Sequence, residues 1–229
     1  VLCAVTFGAR SESVDDPRCV RVGLEPLAGG GLVEVWHASG RVHRGYDGLV
    51  RYTHDEHHLA AAIEIDESRY GGIAAAAQVA YAAMASFQAA VQFPQVLRVW
   101  NYFDAINEGD GDGERYRQFC VGRTAGLGDA LAKPYPAATA IGRRDGDRTL
   151  QVYWLAGRVP GRAIENPRQV SAYLYPRRYS PSPPVFSRAM LVSPDLLMIS
   201  GTASVVGHAS HHTGDLQRQL EETLRNLRA

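Results

Sequence analysis

The sequence predicts an α/β chain of the α+β kind, built on a β-β-α-β-α-β unit that occurs once in full and a second time in part. Three observations carry that prediction. Apolar segments at 48–53 and 59–65 flank a polar tip and lead into a long alanine-rich stretch of helical periodicity. The same order of hairpin, small-residue turn and amphipathic stretch returns after residue 185. This second unit stops at Ala229 after its first helix, where on the order of 60–70 further residues would complete it by analogy with the first. The expected division is residues 1–157 as one domain and 158–229 as the first part of another, with the chain read as a fragment.

At 229 residues and 45% hydrophobic, the chain can bury a sizeable core. Its net charge is +0. No broad attraction to nucleic acid or membrane follows, so an anionic ligand must be met by local arginines. Cys3, Cys19 and Cys120 have no metal-type spacing and read as reduced thiols of a cytoplasmic protein. No strongly apolar run of membrane-spanning length is present, so no spanning helix is expected. A start at Val1, without a signal-peptide charge pattern, reads as a trimmed N-terminus.

Residues 2–7 read as a buried strand and 9–18 as a polar loop. Strands are expected at 19–24 and 32–38, separated by Gly29-Gly30-Gly31. A phosphate-binding loop would run into a helix carrying Lys-Ser/Thr, and none follows, so this glycine run is read as a turn. The tip His54-Asp55-Glu56-His57-His58 has three histidines but no complementary cluster, and is read as a solvated turn. Residues 71–92 place Ile73, Ala76, Ala77, Ala80, Met84, Phe87 and Val91 on one helical face, and Phe93-Pro94 ends the helix. A buried strand follows at 96–103. The acidic glycine-rich loop at 107–113 lacks the terminal Glu of a calcium loop and reads as a surface connection. A second helix at 114–131 is expected to break near its glycines. Strands at 136–142 and 149–156 meet through a turn at 144–147. Residues 186–192 and 196–200 form a hairpin. The helix at 214–227 sets Leu216, Leu220, Leu224 and Leu227 on one face, with Glu221 and Glu222 opposite, facing solvent.

The segment 171–190 concentrates Tyr173, Tyr175, Arg177, Arg178, Tyr179 and Arg188. Planar cations and phenols suit a small carboxylate: guanidinium presents a rigid donor fork, and tyrosine a directed hydroxyl. Arg178 and Arg188 are the leading clamps, with Tyr175 and Tyr179 as hydroxyl partners. Arg177, alternating with Arg178 on extended backbone, is the solvent member. Gly201, Thr202, Ala203 and Ser204 suit a pocket floor, since small residues let a ligand approach the backbone. They equally suit a plain tight turn. Arg123 and Gln118 either cap and solvate the second helix or join the site. His208, His211 and His212 orient a hydroxyl or pack at a helix start; no metal site is assigned to them.

Several of these segments carry a family resemblance. Ser200-Gly201, followed by a helix of the form Gly214-Asp215, Gln219, Leu224, Asn226-Leu227, resembles the RidA/YjgF (chorismate mutase-like) fold. The order RVWNYFDAIN (98–107), GERYRQFCVGR (113–123), YPAATAIG (135–142), SAYLYPRRYSPSPPVFSRAM (171–190) and SGTASVVGHASHH (200–212) looks like the chorismatase family of chorismate hydrolases and 3-hydroxybenzoate synthases. The resemblance implies two tandem RidA-like units, pockets near subunit boundaries, a homotrimer or a pseudo-trimeric monomer, and no cofactor. It implies cleavage of the enolpyruvyl ether of chorismate to pyruvate and a cyclic product, in aromatic-acid secondary metabolism. Ala203 tilts the expectation from 3-hydroxybenzoate towards 3,4-dihydroxycyclohexa-1,5-dienoate. The family's general acid is a Glu on the last strand of the second unit, in a segment similar to V-E-I-E, expected beyond Ala229. Gln151 stands at the matching place of the first unit, so no catalytic residue is assigned to this chain. The alternatives are a RidA-like small-carboxylate-binding protein and an imine deaminase.

Overall fold

The structure is a computed structural model and describes residues 1–8, 15–130 and 133–229. Of the loop read at 9–18, residues 9–14 lie outside the described residues, as does the last residue of the helix read at 114–131. The chain opens with β1 (Cys3–Phe7), β2 (Cys19–Val22) and β3 (Leu32–Trp36), in the order β2-β1-β3. The glycine run at 29–31 leads into strand β3, so it lacks the helix N-terminus on which a phosphate loop relies.

Six strands then form the main sheet: β4 (His43–Asp47), β5 (Val50–His54), β6 (His58–Asp66), β7 (Gln95–Asp104), β8 (Ala137–Arg143) and β9 (Thr149–Gly157). Their order is β4-β5-β6-β9-β7-β8, antiparallel throughout except for the parallel pair β7–β8 at one edge. Two helices interrupt the strands, α1 (Ile73–Ala90) and α2 (Arg115–Leu127). Strand β4 was not foreseen: its sequence, HRGYD, is polar and mostly exposed, and carries no alternation to read.

Both faces of the sheet are covered, which explains the near-continuous apolar run of β6. Leu59, Ala61 and Ile63 meet the helices together with Met84, Phe87, Phe103 and Trp154. Ala60 and Ala62 point the other way, onto Val5, Val22, Tyr102 and Tyr153 under the three-stranded sheet. By length and composition alone α1 could cross a membrane, which the sequence reading did not expect. Its place between sheet and α2, with Ala76, Ala77 and Ala80 fully buried, is that of a core helix.

The expected break in the second helix falls at one of its glycines, Gly128, and not at Gly122 or Gly126. Helix α2 is continuous to Leu127 and stops only at Gly128, whose φ of 49° is left-handed. The two glycines inside it are where it touches α1. A Cβ on Gly122 would lie 1.9 Å from Ala74 O, and one on Gly126 2.3 Å from Gln78 O. Glycine here is a close-approach device, not a helix breaker.

The hairpin tip at 54–58 is a turn exposed at Glu56 and His57, but one residue of it is corrected. Asp55 is buried, and its carboxylate accepts from Ser39 N, Ser39 Oγ, His57 N and His58 N at 2.8–3.0 Å. Burial pushes its pKa up, but the hydrogen bonds from His58, Ser39 and His57 outweigh that and hold the carboxyl well below its ordinary range. Asp55→Ala is expected to cost about 2–3 kcal/mol in a urea titration at pH 7. A depressed folded-state pKa contributes stability above the unfolded pKa, so the difference should shrink as the pH falls below about 4. A difference that stays constant down to pH 2 would show that the carboxylate is not the source.

The rest of the chain attaches at the β8 edge. Strands β10 (Arg162–Ile164), β11 (Ala189–Ser193) and β12 (Leu196–Ile199) form an antiparallel sheet in that order. Next come a two-residue ladder, β13 (Val205–Val206) with β14 (Ala209–Ser210), and helix α3 (Leu216–Arg228). Ser187 N donates to Pro136 O, Ser200 Oγ accepts from Ala138 N, and Gly201 N donates to Ala138 O. These bonds satisfy part of an otherwise open strand edge. Helix α3 inverts its expected orientation. Glu222, read as solvated, is 4% exposed and ion-paired with Arg168, whereas Leu216 is 71% exposed and the rest of the leucine face is exposed with it.

Candidate functional site

A cavity of about 640 Å³ runs along the open edge of β8. One wall is α2, through Tyr116 and Arg123; the other is the second half of the chain, through Phe186, Arg188 and the turn Gly201–Thr202–Ala203. This volume lies within the usual range for small-molecule sites, about 300–1,000 Å³.

Arg123 is its most informative residue. It lies on the buried face of α2 with Phe119, Cys120, Gly122 and Leu127, and is itself only 4% exposed. Its guanidinium sits 5.6 Å from the centre of the Phe119 ring, and Nε and Nη2 have no hydrogen-bond partner. Burial works against its charge, while Cys120, Tyr81 and Tyr116 favour it. Those three are not counter-ions at neutral pH. Burial pushes the Tyr81 phenol up to about 12, and raises Tyr116 and Cys120 as well. Among the described residues no Asp or Glu lines the cavity. A buried, uncompensated guanidinium is unfavourable unless an anion joins it.

Arg188 supplies a second cation. Its Nη2 donates to Tyr175 OH at 2.8 Å and to Val170 O at 2.9 Å, and its Nε is buried and unpaired. Tyr175 therefore steers the fork from behind. On the β8 side, Thr139 Oγ1 accepts from Gly201 N at 2.9 Å and from Arg98 Nη2. Burial lowers the Arg98 pKa to about 10, still protonated at neutral pH. Asn101 Nδ2 donates to Thr139 O, and its Oδ1 accepts from Tyr81 OH at 2.7 Å. The walls are thus fixed by hydrogen bonds before any ligand arrives.

The expected site residues separate into two groups. Arg188, Gly201, Thr202 and Ala203 line the cavity, with Tyr175 directly behind Arg188. Ser204 is buried but does not line it; its hydroxyl donates to His211 O at 2.9 Å. Arg178 and Tyr179 stand apart with His208, Tyr179 OH lying 3.0 Å from His208 Nδ1. The segment 175–180 is not a strand, so the alternation expected for Arg177 and Arg178 does not apply. Both are exposed, and Arg177 pairs with Asp112 of the acidic loop at 2.8 Å. Gln118 Nε2 donates to Asp112 O and does not line the cavity. His212 Nε2 lies 3.6 Å from Glu222. Gln151 Nε2 donates to Arg21 O on the other face of the sheet. Among the described residues no group of three or more His, Cys, Asp or Glu is placed to hold a metal. Asn101, Tyr116, Thr139 and Phe186 were missed from sequence. For Arg123 the sequence does carry a signal: it stands four residues after Phe119 and four before Leu127, on the face that the helix buries.

Fold and site define a class: an α+β scaffold with a cavity lined by two arginines, Arg123 and Arg188, and by no Asp or Glu among the described residues. Residues 34–156 match the family described as Chorismatase FkbO/Hyg5-like, N-terminal. A chorismatase of Streptomyces rapamycinicus is 37% identical over 205 residues, covering 86% of this chain and 60% of the relative. A 3-hydroxybenzoate synthase of Streptomyces hygroscopicus is 36% identical over 214 residues, covering 89% and 60%. A chorismatase crystal structure superposes with a TM-score of 0.88 at 33% identity, covering 99% of this chain and 70% of that one. The chain belongs to the FkbO/Hyg5-like chorismatase family. It spans about three-fifths of the length of the curated relatives it matches.

Proposed function

We propose that the protein to which these residues belong cleaves chorismate. The observation that carries this is the pair Arg123 and Arg188, which line one cavity with no lining carboxylate among the described residues, and which each keep a buried N–H group without a hydrogen-bond partner. Chorismate is a dianion, and two guanidinium groups can neutralise and orient it. The names of the relatives, chorismatase and 3-hydroxybenzoate synthase, support the same substrate.

Cleavage begins with a proton delivered to the methylene carbon of the enolpyruvyl group, which creates an oxocarbenium centre. Water adds there and loses a proton. The hemiketal then breaks its bond to the ring oxygen, which takes up a proton, giving pyruvate and 3,4-dihydroxycyclohexa-1,5-dienoate. Capture by the neighbouring ring hydroxyl, which gives up its proton, closes a cyclic ketal instead. The ring then loses its C3 proton as the C4–O bond breaks and that oxygen is protonated, and the resulting hemiketal parts from the aromatic oxygen, giving pyruvate and 3-hydroxybenzoate. Ala203 on the floor favours the first product in our reading. The proton donor is a carboxylic acid kept neutral by burial and by the substrate's own charge. We assign it to a Glu outside residues 1–229, on the last strand of a second RidA-like unit that begins at residue 158. The exposed leucine face of α3 and the exposed Leu196, Leu197 and Ile199 of β12 support a continuation of that unit. A cytoplasmic, trimeric or pseudo-trimeric assembly completes the reading.

The test is a proton NMR time course of chorismate with the full product of the gene. A growing pyruvate methyl signal is expected, and the ring signals distinguish the two products. Turnover of amino-acid-derived imines without pyruvate from chorismate would overturn the proposal in favour of an imine deaminase.

A further inference from the structure

Helix α3 is anchored through its polar side, and the anchor ends on the cavity floor. Asn226 is buried on that side. Its Nδ2 donates to Ala203 O and to Val205 O, each at 2.9 Å. Its Oδ1 accepts from Arg168 Nη1 at 2.8 Å, which sets the orientation of the amide. Arg168 is ion-paired with Glu222, about one helical turn before Asn226, and Asn166 Nδ2 holds the main-chain carbonyl of Asn226 at 2.7 Å. Both ends of the amide are therefore committed. Its donors hold the segment that carries Ala203 and Val205, and both of these residues line the cavity. Neither has a polar side chain, so their positions depend on what grips their main chain. Gln169 Nε2 adds one further bond to Val205 O at 3.0 Å.

We propose that Asn226 is a positioning residue for the reaction at this cavity. It sets the height of the Ala203 turn, and with it the room left for the substrate ring and for the group that traps the oxocarbenium centre. The inference rests on the chorismate reading above and adds to it a residue that touches neither substrate nor reacting atoms. Asn226→Asp tests it in the full product of the gene. The change keeps size and the acceptor for Arg168, removes both donors, and sets a carboxylate against two carbonyl oxygens.

Loss of the two bonds is expected to raise KM for chorismate by about 10-fold. The ratio of the two ring products is expected to shift, while kcat per folded molecule changes less. Folded fraction is read from circular dichroism melting, and Asn226→Ser, which retains one short donor, is used if the aspartate variant does not fold. A purely structural role would lower activity only in proportion to folded protein. Unchanged KM and product ratio in a folded variant would therefore overturn the proposal, as would failure of both variants to fold. A parent protein that releases no pyruvate would instead overturn the chorismate reading, and this inference with it.

Discussion

Arg123→Met is expected to leave the protein at least as stable as the parent while lowering kcat/KM for chorismate by on the order of 10²- to 10³-fold. The two effects have one cause. The guanidinium is buried, its Nε and Nη2 bond to nothing, and the groups around it are a thiol, two phenols and the Phe119 ring. Without ligand this is an uncompensated charge, and an apolar side chain of similar length removes its desolvation cost. On the proposed chorismate reading the same group meets a carboxylate in a low-dielectric setting, where truncating one partner costs about 2–5 kcal/mol. Thermal melting and steady-state pyruvate release on the same samples check both halves. Arg123→Lys should fall between, since it keeps the charge and loses the fork. Reduced stability with unchanged KM would show that Arg123 serves helix packing only.

Gly122→Ala is expected to lower the melting temperature despite replacing the poorer helix former by the best. Propensity alone favours the alanine by about 1 kcal/mol. Packing decides the other way. The added Cβ would meet main-chain atoms of α1, at 1.9 Å from Ala74 O and 2.8 Å from Ala74 C, which no rotamer change relieves. The helices must move apart, and α1 is already pressed onto the sheet through Ala76, Ala77 and Ala80. Overpacking of this kind costs about 1–3 kcal/mol or more, so the net loss should appear as a drop of about 2–8 °C. Because Arg123 is the next residue, KM should rise as well. A higher melting temperature with unchanged KM would mean that α2 stands clear of α1.

The legible part of the fold was local. Helix α1 announced itself through Ile73, Ala77, Met84 and Phe87, and the hairpins of β5–β6 and β11–β12 through apolar segments flanking polar turns. Strands β4 and β10 escaped notice because both are short and neither buries a residue, so no periodicity marks them. The misreadings share one physical source. The glycines of α2 look like helix breakers until α1 is seen against them. Asp55 looks solvated until Ser39 is seen closing over it. Glu222 looks like a surface charge until Arg168 arrives from a distant loop.

By itself the sequence determined the α+β class, the order of most elements, the motif order that resembles chorismatases, and four of the eight residues it expected in the site that do line the cavity: Arg188, Gly201, Thr202 and Ala203. Each of these is written in short-range pattern, in neighbouring residues whose chemistry does not depend on what they later touch. Only the tertiary structure decided which arginine faces the cavity from the opposite wall, that Arg178 does not line it, and that α3 grips the floor through Asn226 with its leucines left outside. Those outcomes depend on contacts between α2, the β8 edge and α3, which lie far apart in the chain. Burial turns a residue's meaning there. A guanidinium at the surface is solvated and ordinary, whereas the same group enclosed without a counter-charge carries a desolvation cost that only a partner of opposite charge offsets.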